Sequence, residues 1–428
     1  MIRRIHRKVK TYGDRTFSSL KIRNYRLYFA GQGISLTGTW MQTIGQAWLV
    51  LELTGSGTAL GFVTALQFLP ILLLAPMGGV MADRFSKRKI LFITQTTAGF
   101  LALILGILVA THTVQLWMVY ALAAALGIVG AMDNPTRQAF IFEMAGSEQV
   151  GNAVTLNSME VNLARVVGPA IAGILIAGIG IAACFFINAA SYLAVLACLI
   201  LMNSRELYRR EHIPRSRGQL REGFRYVLHT PLLFDVLIML AIVGTLTYEF
   251  QITLALLAKY AFGGNAGAYA LLTSAMGLGS VLGGLAIAGR KNTSPQSMAG
   301  TALALVVCIL AAAFSPALML AAAAMVLVGV FSIRLTSLGN TILQLESKAE
   351  MRSRVMALWS VAFLGSTPIG GPIVGWIGEH ASPRWALAAG GIAAIAAGIL
   401  GAITLKKYAL HAFSQSTINT APALNLKK

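Results

Sequence analysis

Twelve apolar stretches of about 18 or more residues dominate this chain of 428 residues, and they leave few ways to fold it. They fall at about 27–51, 58–81, 90–111, 116–133, 153–178, 181–202, 232–258, 268–288, 296–314, 316–336, 355–378 and 384–405. Runs of this length cross a bilayer as helices, because the hydrocarbon offers the backbone no water and a helix satisfies its own N–H and C=O groups. Hydrophobic residues make up 56% of the chain and charged residues 11%, far from the roughly 45–50% and 25% of soluble domains. The three cysteines, Cys184, Cys198 and Cys308, all lie inside apolar runs, which excludes a disulfide-stapled scaffold.

The one long connection divides the chain into two sets of six spans. The expected organisation is a basic tail over 1–26, a six-helix bundle over 27–202, a linker over 203–231, a second six-helix bundle over 232–405 and a tail over 406–428. The net charge of +19 would suit a nucleic-acid binder, but its placement argues otherwise. Assigned to alternate sides, 31 of the 34 Lys and Arg fall on the side of the N-terminus, including the tail, the Arg84–Lys89 run and the linker; Lys259 and Arg384 fall opposite, and Arg165 lies within a span. That asymmetry predicts both termini in the cytoplasm. The basic excess is therefore orientation, with no nucleic acid implied. The first 26 residues have no apolar core or cleavage site and read as a cytoplasmic tail, not a signal peptide.

The halves are similar to each other. Gly78-Gly79 before Arg84 is matched by Gly283-Gly284 before Arg290, and Gly168-Pro169 before Gly173 by Gly371-Pro372 before Gly375, at offsets of 202 to 206. Parallel repeats of this kind build transporters whose substrate site lies at the repeat interface near mid-membrane. The segment Gly79-Val80-Met81-Ala82-Asp83-Arg84-Phe85-Ser86-Lys87-Arg88-Lys89 resembles the signature loop of the major facilitator superfamily, with Ser86 where that pattern has Gly. Arg352-Ser353-Arg354-Val355 is similar to a family Arg-Gly-Arg-Val segment. The Asn24-Tyr25-Arg26 to Gly38-Thr39-Trp40 and Asn162-Leu163-Ala164-Arg165 to Gly168-Pro169 stretches resemble the exporter branch that holds macrolide efflux pumps and enterobactin-type siderophore exporters. The resemblance implies an all-α membrane protein of twelve transmembrane helices in two six-helix bundles. It also implies a multi-pass protein of the bacterial inner membrane, a monomer that takes a small-molecule substrate.

In that loop Gly79, Asp83, Arg84, Lys87 and Arg88, with Asp133 at the end of the fourth span, form a candidate conformational latch. Asp133 is expected to pair with Arg84, Lys87 or Arg88. An anion at a helix N-terminus gains about 0.3–2 kcal/mol, and the resemblance supplies the helix, the eleventh, whose N-terminus near Ser353 would meet Asp83 when the cytoplasmic side closes. Gly168, Pro169, Gly371 and Pro372 lie inside spans, where proline removes a donor and bends the helix; they read either as gating kinks or as packing positions.

Charges inside spans are costly and mark cavities or partners. Glu249 is the first candidate proton carrier and Glu160 the second, with Arg165 as a modulating cation; fixed ion pairs between helices are the alternative. Glu160 and Arg165 are five residues apart and point about 140° apart, whereas Arg165 shares a stripe with Ser158 and Asn162. Thr245, Glu249 and Thr253 repeat every four residues with Tyr248 adjacent. Gln32, Ser35, Thr39, Gln42 and Gln46 form one polar stripe on the first span, which suits either a cavity wall or hydrogen bonding to a neighbouring helix. Trp40, Trp48, Tyr248, Phe250 and Trp359 are aromatic candidates for stacking on substrate.

The chain has no Gly-x-x-x-x-Gly-Lys-Ser/Thr loop for ATP. It has no His-Glu-x-x-His or Gly-x-Ser-x-Gly, and its six histidines fall outside or at the ends of spans, so nothing points to an enzyme or a metal cofactor. The expected function is secondary transport driven by a proton gradient, exporting a small amphipathic compound such as a drug or siderophore. Proton-coupled uptake of a metabolite, or a non-transporting receptor on the same fold, are the alternatives.

Overall fold

A computed structural model of the chain describes residues 17–208, 219–287, 295–348 and 350–400. Most of the basic tail, linker residues 209–218, Arg290, Lys291, the end of the twelfth span and the tail over 406–428 lie outside them.

The described residues are helical throughout. The first group is α1 (Arg23–Thr54), α2 (Gly57–Arg84), α3 (Lys87–Ala110), α4 (Leu116–Ile179) and α5 (Ala182–Leu201). The short amphipathic α6 (Gln219–Leu228) leads into the second group. That group is α7 (Pro231–Leu246), α8 (Phe250–Leu256), α9 (Ala266–Ile287), α10 (Pro295–Ala313), α11 (Leu318–Glu346), α12 (Arg352–Leu364), α13 (Thr367–His380) and α14 (Pro383–Leu400). Among the described residues nine helices are long and apolar enough to cross a membrane, with α7–α8 and α12–α13 each counted as one span. Two further long helices pack among them: α1, which carries the polar stripe, and α10, whose apolar part is Ser297–Ala313.

Local chemistry sets the turns. Gly55 ends α1 in the left-handed region at φ 67°, and the Ser56 hydroxyl then accepts from the Ala59 N–H at 3.1 Å to cap α2. Inside α4, Gly146 has φ 69° and ψ 172°, which breaks its 64 residues into two arms. The fourth span therefore does not stop near 133. Its helix runs on to Ala145, because Phe140, Ile141 and Met144 are fully buried against Tyr25, Tyr28 and Leu91.

Two other expected spans are interrupted. The seventh breaks between α7 and α8 at Thr247–Glu249, and the eleventh between α12 and α13 at Gly365–Ser366. In the eleventh the break falls just before Pro368, the second residue of α13, which has no N–H to continue the helix of α12, whereas Pro372 is accommodated inside α13. Within the expected linker, Glu222 of α6 pairs with Arg354 at 2.7 Å and anchors α6 on α12.

The two groups meet along two seams, α2 against α13 and the second arm of α4 against α9. Small residues bring the backbones together there: a Cβ on Gly57 would lie 2.6 Å from the Gly375 carbonyl oxygen, and one on Gly277 3.0 Å from that of Arg165. The Ser274 hydroxyl also donates to the Val166 carbonyl at 3.0 Å.

Candidate functional site

A cavity of about 690 Å³ lies between the two groups. From the first group come Asn157, Ser158, Asn162 and Arg165, a single face of α4, together with Trp40 and Phe68. From the second come Tyr248 and Glu249 at the α7–α8 break, Ser332, Thr336 and Asn340 on α11, Trp359 and Phe363 on α12, and Thr367 at the start of α13. The expected stripe of Ser158, Asn162 and Arg165 is thus a cavity wall.

Four buried polar atoms lining this space have no hydrogen-bond partner: Arg165 Nε, Glu249 Oε1, Ser332 Oγ and Trp359 Nε1. Buried polar groups are nearly always paired, so such a cluster marks a place for a polar ligand or water. Glu249 is 3% exposed and has the Thr367 hydroxyl beside it. The Arg165 guanidinium lies 4.9 Å from the centroid of Trp40, a cation–π contact. Among the described residues no ion pair joins Arg165 to Glu249 or Glu160, so the fixed-pair alternative does not describe this arrangement. Tyr248 donates to the Ser332 carbonyl at 2.6 Å, and its ring meets Phe250 and Phe363 edge-on, while Trp359 stacks on Phe363.

Other candidates lie elsewhere. The polar stripe of α1 does not face this cavity. Thr39, Gln42 and Gln46 line a crevice of about 30 Å³ against α5, where Asn188 donates to Gln42 at 2.6 Å; Gln32 and Ser35 are buried. The reason is that α1 must pack on both α4 and α5, and α5 supplies the polar partners Asn188 and Tyr192. Thr245 is outside the cavity and bonds back to the Ala241 carbonyl. Because the α7–α8 break falls at Glu249, the Thr245, Glu249, Thr253 stripe is not one continuous helical face. Trp48 hydrogen-bonds Glu52 at 2.7 Å on α1. Glu160 lies in a separate groove beside Gly33.

The candidate latch is also rearranged. Asp133 is 3% exposed and pairs with Arg137, while accepting from Thr94 and Gln95, both at 2.8 Å. Arg84, Lys87 and Arg88 are not its partners: Lys87 pairs with Glu143 at 2.6 Å, and Arg88 donates to Ser204 and the Ile200 carbonyl. Arg137 is reachable because α4 continues past 133, so i,i+4 geometry sets this pair. Asp83 and Arg84 end α2, and the neighbouring Gly78 presses on the Ala131 carbonyl. Gly168 sits against Trp40 and Thr37, and Gly371-Pro372 against Gly61, so both Gly-Pro pairs lie at close helix contacts.

Polar contacts between the groups gather at the end where α1 finishes. Lys259 donates to the Leu51 carbonyl at 2.6 Å and Tyr260 to that of Gly55 at 2.7 Å; Glu379 accepts from the Ser56 hydroxyl at 2.6 Å and the Thr58 N–H at 2.9 Å. The α11 residues Ser332, Thr336 and Asn340, spaced by four, were not among the expected site residues; the same period that revealed the α1 stripe runs through them.

Two helical groups with at least nine helices long and apolar enough to cross a membrane, and a cavity of unsatisfied polar groups at their seam, define a multi-pass membrane protein among the described residues. The comparisons agree. The chain belongs to the transmembrane secretion effector family of the major facilitator superfamily, whose profile matches residues 14–427. It is 31% identical over 178 residues to the staphyloferrin A transporter of Staphylococcus aureus, covering 41% of this chain and 45% of that one. Against an uncharacterised transporter of Bacillus subtilis it is 23% identical, covering 50% of this chain and 51% of that one, so the chain spans about half the length of these two relatives. The enterobactin exporter EntS of Shigella flexneri is 24% identical over 388 residues, covering 88% of this chain and 90% of that one.

The fold is shared with an inward-facing, occupied bacterial homologue of the lysosomal transporter Spinster (TM-score 0.70, 14% identity, 90% of this chain and 97% of that one). It is also shared with an inward-facing bacterial homologue of the iron transporter ferroportin (TM-score 0.66, 12% identity, 89% and 98%). The chain is therefore a multi-pass membrane protein of this family.

Proposed function

We propose that the protein is a proton-coupled exporter of a small amphipathic compound, a siderophore or a drug, working by alternating access as a monomer with twelve crossings and both termini in the cytoplasm. The observation that carries this reading is the placement of Glu249, Arg165, Ser332 and Trp359, each with an unpartnered buried atom, around one cavity at the seam. Arg165 Nε and Trp359 Nε1 supply donors for oxygen-rich parts of a substrate, and Trp40 and Phe363 supply faces for apolar or aromatic parts. Glu249 carries the proton. In its charged form it accepts hydrogen bonds from hydroxyl, amide or ammonium groups of the substrate, and protonation removes that hold, so that proton and substrate exclude each other as antiport requires.

With both termini in the cytoplasm, the contacts through Lys259, Tyr260 and Glu379 would hold the extracytoplasmic end together, which supports reading this arrangement as inward-facing. Export then requires those contacts to break while Asp83 meets the N-terminus of α12. The names of the staphyloferrin A transporter and of the enterobactin exporter support a siderophore as the first substrate class to test. The test is a matched deletion and overexpression pair grown under iron starvation, with siderophore activity and metabolites measured inside and outside the cells. A native compound that accumulates inside the deletion strain and outside the overexpressing one supports export, whereas the reverse distribution establishes uptake and no change in either strain rejects both.

A further inference from the structure

We propose that a second cavity, a groove of about 1210 Å³ open to the bilayer, is a separate binding site for a cationic amphiphile with Glu160 as its counter-ion. The groove lies where α1, the second arm of α4 and α5 face α9 and α11. Its lining is mostly apolar, and Ile34, Leu163 and Leu285 are exposed on the outer surface of helices apolar enough to lie in lipid, a route by which an apolar chain would enter sideways.

Within this lining Glu160 alone is ionisable. It is 7% exposed, and its Oε1 has no hydrogen-bond partner. Gly33 makes room for the carboxyl, since a Cβ there would lie 2.7 Å from Oε1. The nearest cation that could neutralise it, Arg137, is held by Asp133. A carboxylate buried among apolar side chains is costly until a positive or donating group meets it. The missing partner must therefore bring an apolar body and one positive head, which is the chemistry of a long-chain ammonium ion. The groove exceeds the roughly 300–1,000 Å³ of ordinary ligand pockets, enough for a long chain.

Ser158, Asn162, Ser280, Ile333 and Ser337 line both the groove and the central cavity, so a bound amphiphile rests against the wall of the transport site.

The experiment uses the full-length protein in phosphatidylcholine nanodiscs, titrated with dodecylamine carrying a dansyl label at the tail, beside the dansyl-labelled dodecanoate of equal chain length. Saturable binding of the amine alone is expected, weakened about tenfold or more by Glu160→Gln, the size of a lost charge-assisted hydrogen bond. Leu285→Trp, which narrows the groove without touching the central cavity, is expected to abolish it, and it provides the test should Glu160→Gln misfold. Equal binding of amine and carboxylate, unchanged affinity in Glu160→Gln, or unchanged affinity in Leu285→Trp would each overturn the proposal. The readout needs neither substrate nor proton gradient, so its failure is separate from a failure of the export reading.

Discussion

The two halves occupy equivalent places in the bundle, yet their backbones differ where the chemistry is concentrated. The first span, α1, runs unbroken for 32 residues, whereas its counterpart breaks at Thr247–Glu249. The fifth span passes through Pro169 as helix, whereas its counterpart breaks at Gly365–Ser366. Both interruptions fall in the second half and adjoin each other: Gly244 faces the Phe363 carbonyl, and Gly370 faces the Thr245 carbonyl and Glu249. Irregular backbone at membrane depth survives only where protein or a cavity satisfies its polar groups. Here the Thr247 hydroxyl donates to the Gly390 carbonyl at 2.7 Å, and Glu249 opens into the cavity. The first half instead holds Asp133 in a closed network with Arg137, Thr94 and Gln95 inside unbroken helices. The contrast assigns rigidity to the first half and adjustment to the second.

Four experiments press on that contrast. Glu249→Gln is expected to reduce proton-coupled export by about 100-fold or more, as removal of a proton-transferring group does, while membrane expression stays normal. Measured in vesicles with an imposed pH gradient, retained coupling would remove Glu249 from the mechanism. Gly370→Ala should lower thermal stability by about 1–3 kcal/mol, because the added methyl runs into the Thr245 carbonyl at the broken spans. Gly168→Ala, at a tight contact of the unbroken half, is the control for it. Equal melting shifts would mean that the breaks impose no constraint of their own.

Glu379→Gln weakens the contacts to Ser56 and Thr58 and should favour the outward-facing state by about 1 kcal/mol. Distance labels placed across that end of the bundle would report it, and an unchanged distribution would show that the two apolar seams alone hold it shut. The smallest effect is expected for Asp83→Asn. The loss of an anion at a helix N-terminus is worth about 0.3–1 kcal/mol, read in the same labels as fewer outward-facing conformers. If conformer ratio and transport are both unchanged, Asp83 is no latch.

Much of the site was legible before folding. Arg165 with Ser158 and Asn162, and Glu249 with Tyr248, stood out because charge in an apolar run is costly, and these residues do share a cavity. The polar stripe of α1 was equally visible, but a stripe does not say which neighbour it meets, and Asn188 of α5 claimed Gln42. Asp133 was recognised as important and given the wrong partners, since the end of the fourth span was placed by hydropathy while burial of Phe140 and Met144 carries the helix further. The cavity face of α11 was missed because Ser and Thr raise little signal beside so many alanines.

What the sequence determined alone is the class of protein, a helical membrane chain, and that is decided segment by segment because lipid acts on local composition. Which polar groups face a cavity and which face one another was decided only by tertiary structure. Two glutamates inside apolar runs therefore end in different places, Glu249 in the seam between the halves and Glu160 in a groove beside Gly33. Helix rotation and backbone breaks depend on neighbours that are distant in the chain, and no local pattern encodes them.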